Sequence, residues 1–145
     1  MKKLSFAYLV LAIIVLLVTS IKAESISQTE KDNIVQNLSM GLISQNQGLR
    51  VSSALVLGRL IDLNYIKNED AETTVLSLME MLNKGDTEQE RISAALALFK
   101  IGNTKGIYQL KGSARFDKSK RVKSICSKLY NEFHKQNGTA YLLEY

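Results

Sequence analysis

Proline and tryptophan are absent from the 145 residues, and cysteine and histidine occur once each. With Cys126 alone, no disulfide can form within the chain, so the fold must be held by packing. One histidine, His134, and one cysteine are too few for a zinc site built from those ligands. Cys126 falls on the apolar side of its helix and His134 at the end of the same helix, an arrangement that speaks against Cys–His catalysis. No glycine-rich loop follows a strand, and the acidic doublets Glu69/Asp70 and Glu88/Glu90 sit at helix starts, where the helix dipole accounts for them. No catalytic residue, metal ligand or cofactor site is therefore assigned. Aromatic residues make up 7% of the chain, and no stretch alternates with period two for long, which excludes an extensive sheet and predicts an all-α fold.

Positive charge is plentiful but unevenly placed. The formal net charge is +5, yet the first 23 residues hold three lysines and no acid, leaving +2 on the rest, a weak basis for nucleic-acid binding. From Glu24 to Phe99 there are six basic and eleven acidic residues, net −5; from Lys100 to Lys135 there are ten and two, net +8. Lys111, Arg115, Lys118, Lys120, Lys123 and Lys128 make up a candidate contact surface for an acidic partner or an anionic surface. The other reading is a solvated face that keeps a small protein soluble. Lys120, Lys123 and Lys128 spread around a helix at about 100° per residue, so a broad field is expected rather than one phosphate pocket.

Residues 1–23 have the layout of a secretory signal peptide: Lys2 and Lys3, an apolar run of 13 residues from Phe6 to Val18, and Ile21-Lys22-Ala23 as a cleavage site. The run is shorter than the roughly 20 residues of a spanning helix, although Thr19 to Ile21 would extend it if it stayed as an uncleaved anchor. The mature chain is expected to begin at Glu24 and to be periplasmic or secreted. Asn37-Leu38-Ser39 and Asn137-Gly138-Thr139 match the glycosylation triplet, a pattern frequent by chance.

Six helices follow, in residues 24–136. Ser27 and Glu30 form a capping box before a helix with Ile34, Val35, Leu38 and Leu42 on one side, broken by Asn46-Gln47-Gly48. The second helix starts at Arg50 and ends near Leu63-Asn64. After a polar link from Tyr65 to Asp70, Glu69, Asp70 and Glu72 open a third helix carrying Val75, Leu78, Met79 and Leu82. Thr87 and Glu90 form a second capping box ahead of the Arg91 helix, which Gly102-Asn103 stops. A short fifth helix carries Ile107, Leu110 and Ala114, and Asp117 is the expected cap of the last. The Arg91 helix is apolar nearly all round, which predicts cover on several sides and a central place. The last helix has one stripe, Val122, Ile125, Cys126, Leu129 and Phe133, with Lys123, Ser127, Lys128 and Asn131 facing away, as a terminal capping unit requires. The apolar end of the tail at 137–145, Tyr141 to Tyr145, either folds back over the last pair or inserts into a partner.

Three stretches echo one another: Arg50 to Leu60, Arg91 to Ile101 and Arg121 to Leu129, each an arginine followed by small or apolar residues. Arg50, Ala54, Leu57 and Gly58, then Arg91, Ala94, Ala95, Leu98 and Ile101 with Gly102-Asn103, then Asp117 and Arg121, resemble HEAT repeats, especially the short bacterial HEAT-like repeats of phycobilisome lyases. The proline usual in the first helix of such repeats is missing, and Ile125 and Lys128 depart from the pattern. The resemblance implies a short α-solenoid of three antiparallel pairs, with the arginines structural, each pairing with an acid or carbonyl of a neighbouring turn. It further implies a non-catalytic module that binds a protein partner, here in the cell envelope. Two alternatives remain open: an anion- or membrane-surface-binding module using the basic face, and an accessory subunit of a lyase-like enzyme. Membrane contact is otherwise expected only through residues 1–23.

Overall fold

The computed structural model describes residues 26–138. Residues 1–25, which include the expected signal peptide and its cleavage site, and the tail residues beyond Gly138 lie outside that range. Six α-helices and no strand are found among the described residues: α1 (Gln28–Leu42), α2 (Gln47–Asp62), α3 (Val75–Lys84), α4 (Glu88–Ile101), α5 (Thr104–Phe116) and α6 (Lys120–Gln136), with a 3-10 turn at Glu72–Thr74 before α3.

The helix ends follow from local chemistry. Both capping boxes form, with the hydroxyls of Ser27 and Thr87 accepting from the third amide and the carboxylates of Glu30 and Glu90 accepting from the cap amide. α2 ends in a Schellman motif: Asn64 takes a positive φ of 58°, its amide donates to Ile61 and the Tyr65 amide donates to Leu60. α4 ends at Gly102 with φ 69°, and the side chain of Asn103 then caps α5. Two expectations shift here. Ser119, not Asp117, caps α6, because Asp117 ends α5 and its carboxylate is engaged elsewhere. Glu69 and Asp70 precede α3 in a turn, where the Asp70 carboxylate accepts from the Lys67 amide.

Each helix packs on its successor across the short turns Ile43–Asn46, Gly85–Thr87 and Asp117–Ser119, giving the pairs α1/α2, α3/α4 and α5/α6. The odd helices also pack in series, and so do the even ones: α2 on α4 and α4 on α6. α4 is central, in contact with α2, α3, α5 and α6. Its Ala94, Ala95, Ala97, Leu98 and Ile101 are buried, with Leu57, Leu78, Leu82, Leu110 and Val122 among the neighbours in the core. Close approach is bought with small residues. A Cβ on Gly106 would stand 2.9 Å from Leu98 Cδ2, and one on Gly41 would fall 2.0 Å from Ser53 Oγ.

The core departs from the sequence reading in three places. Ile92, Leu96 and Phe99 are only partly covered, so α4 keeps one open side. Ile66, in the link expected to be polar, is buried, as is Ala71 just after it, and the two tie the link to the core. In α6, Tyr130 and Ser127 are buried, whereas Ile125, Leu129 and Phe133 are half-covered. The inward face of that helix is thus rotated toward Cys126 and Tyr130.

Candidate functional site

The arginine positions can be judged by what they touch. Arg50 and Arg91 both occupy the fourth position of an even helix. Arg50 donates from Nη1 to the Ser44 carbonyl at 2.7 Å and from Nε to Glu90 Oε1 at 2.7 Å. Arg91 repeats the arrangement, with Nη1 to the Gly85 carbonyl at 2.7 Å and Nε to Asp117 Oδ2 at 3.0 Å. Each guanidinium thus binds the carbonyl six residues before it and a carboxylate of the next pair. The Arg91–Asp117 pair is deeply buried, its side chains 3% and 7% exposed. Burial by itself would raise the carboxyl of Glu90, but hydrogen bonds from Arg50 and from the amide and hydroxyl of Thr87 outweigh it and hold Glu90 below the ordinary carboxylate range.

Arg121 does not belong to this set. It is the second residue of α6 and is exposed, while Lys123 occupies the fourth position. Aligned on Arg50, Arg91 and Lys123, the buried residues coincide: Ser53, Ala94 and Cys126, then Ala54, Ala95 and Ser127, then Leu57, Leu98 and Tyr130. The third echo therefore begins two residues later than Arg121 suggests, at Lys123. Its arginine was misleading because Val122 and Cys126 are apolar in either register. Of the remaining repeat positions, Ala54, Leu57, Gly58, Ala95 and Leu98 are buried, and Gly102 ends α4.

Cys126 is buried, and burial, aided by the negative charge of Asp117, pushes its thiol up to about 12. It stays protonated at neutral pH and is no nucleophile. The His134 ring packs against Tyr130 and Phe133, with centroids 4.3 Å and 5.7 Å away. No group of three or more His, Cys, Asp or Glu side chains suited to a metal ion occurs among the described residues.

The basic face is sharpened by its pairing. Asp117 serves Arg91, Glu132 accepts from the Gln136 amide, and Lys100 pairs with Asp62 at 2.7 Å. Lys105, Lys111, Arg115, Lys118, Lys120, Arg121, Lys123, Lys128 and Lys135 make no ion pair among the described residues. The proposed surface divides: Arg115, Lys118, Lys120 and Lys128 are exposed, Lys123 is partly covered, and Lys111 lies over the Tyr130 ring at 5.8 Å.

The even-helix face carries a groove of about 380 Å³, lined by Leu55 of α2, by Glu88, Gln89, Ile92, Ser93 and Leu96 of α4, and by Arg121 of α6. Two further grooves lie along the turns, about 390 Å³ beside the Arg50–Glu90 pair and about 310 Å³ beside Arg91–Asp117. The even-helix groove is not legible in the sequence, because Ile92 and Leu96 read as core and the exposure of Leu55 and Val56 appears only in the packed structure. Compared with family models, curated proteins and solved structures, the chain matches none. No helix among the described residues is long and apolar enough to cross a membrane.

Proposed function

We propose that this chain is a short HEAT-like α-solenoid, exported to the cell envelope, that binds a protein partner without catalysing a reaction. The repeated arginine clamp carries the repeat reading. The same side chain, at the same helix position, takes the same backbone carbonyl and reaches the next pair, in step with even-on-even packing. Helical stacks of this kind offer long side faces rather than enclosed pockets. The open side of α4 supports binding there, since Ile92 and Leu96 line a groove beside the exposed Leu55. A second reading, attachment to an anionic surface, draws support from the nine cations between Lys105 and Lys135 that have no acidic partner among the described residues.

The test is site-specific photo-crosslinking in cells of the source organism, with the reactive residue placed at Leu55 and Leu96 on the even face and at Leu76 and Tyr108 on the odd face. Discrete adducts with one protein, from either face, are expected. Adducts with lipid alone, or none from any position, would remove the protein-binding reading.

A further inference from the structure

We propose that the groove between α2 and α4 and the exposed side of α6 together dock an acidic, amphipathic segment of a partner protein; this rests on the binding-module reading above. Arg121, standing two residues ahead of the clamp position, is exposed and borders the groove. Lys128 and Lys135 follow it at intervals of seven residues, both exposed, so the three share one side of α6 at steps of about 10 Å. Lys120 flanks the row at its start. Glu132 is the acid on this side, and its Oε1 accepts from the Gln136 amide. Lys123, seven residues before the buried Tyr130, is partly covered, and Lys111 of α5 lies over the Tyr130 ring, so neither joins the row.

The geometry selects among anions. Cations spaced about 10 Å apart cannot converge on a single phosphate, but they match carboxylates two helical turns apart on a partner helix. The apolar part of the site argues for a polypeptide over a bilayer. Ile92 and Leu96 are half-covered at the groove rather than projecting, so they receive side chains and do not insert into lipid. Glu88 also borders the groove and accepts from the Ser119 hydroxyl at 2.6 Å, so the acidic side of the partner must face α6. The predicted partner segment has two or more aliphatic or aromatic anchors on one side and a row of Asp or Glu beside them.

Panning a phage-displayed random peptide library against the full chain tests this. Selected peptides are expected to combine Asp and Glu with aliphatic or aromatic anchors. Arg121→Glu with Lys128→Glu is expected to weaken a selected peptide about tenfold or more at low salt, chiefly through slower association, with the helical circular dichroism unchanged. Leu55→Asp, at a half-exposed position, is expected to abolish binding, and Leu76→Asp on the odd face to leave it unaltered. Selected peptides without acidic excess, or an affinity indifferent to the α6 charge reversal, overturn the proposal. So does binding of phosphatidylglycerol vesicles that depends on the Arg121–Lys128–Lys135 row, with no acidic peptide enriched, which would assign the face to a bilayer. Crosslinks to a protein from the odd face would sink this proposal while leaving the binding-module reading intact.

Discussion

Asp117→Ala is the most informative single change, because it separates a structural arginine from an anion-binding one. Asp117 receives the Arg91 guanidinium on Oδ2 at 3.0 Å and the Ser119 amide on Oδ1 at 2.7 Å, in surroundings that leave it 7% exposed. Removing one partner of a buried pair typically costs about 3–5 kcal/mol, because the remaining charge stays desolvated. The lost amide hydrogen bond adds about 1 kcal/mol. Arg91 retains the Gly85 carbonyl, which keeps the total toward the lower end, about 3–4 kcal/mol. Arg121→Ala, at an exposed position without an ion pair, should fall within about 0.5 kcal/mol of the parent. Urea melts followed by circular dichroism, compared at constant m, measure both. If Asp117→Ala costs less than about 1 kcal/mol, the clamp does not hold the pairs together and the repeat argument built on it fails.

Leu98→Ala, fully buried at the centre of α4, should cost about 2–5 kcal/mol in the same melts. Gly41→Ala forces a Cβ onto Ser53 Oγ and should destabilise by about 1–3 kcal/mol, whereas Gly112→Ala, with nothing within 4 Å, should be neutral or stabilising. Glu90 titrates below its unfolded value, so between the two the unfolded chain binds the extra proton and stability rises with pH; thermal melts should show a loss as pH falls from the ordinary carboxylate value of 4.5 through the lower folded value, and the loss should shrink in Glu90→Gln. Intact-mass analysis of native protein should give a chain starting at Glu24; a retained 1–23 segment in the membrane fraction would mean an anchor.

The six helices were legible because their punctuation is chemical and local: two capping boxes, Asn64 and Gly102 at positive φ, and periodic apolar faces in α1, α3 and α5. What depended on the third dimension was not. Asp117 reads as a helix cap until Arg91 is seen to need it, and only the packing of α6 reveals that Lys123, not Arg121, stands in the clamp position. Ile92 and Leu96 read as core because hydropathy cannot tell a covered side from an open one. The charge asymmetry was visible, but its arrangement as a row required knowing which side of α6 faces water.

Glu90 and Arg91 are consecutive residues, and that adjacency has a mechanical meaning. Glu90 receives the clamp from the pair before it, and Arg91 sends one to the pair after it. The two arginine clamps are thus joined by one peptide bond at the start of α4, beside the apolar packing of α2 on α4 and α4 on α6 and the Lys100–Asp62 pair at the other end of the helix. Stretching the protein from Gln28 to Gln136 should therefore give one rupture event rather than a staircase of three, since opening that turn releases both clamps at once. Repeat arrays commonly unzip pair by pair; here the first turn of α4 works as a shared rivet.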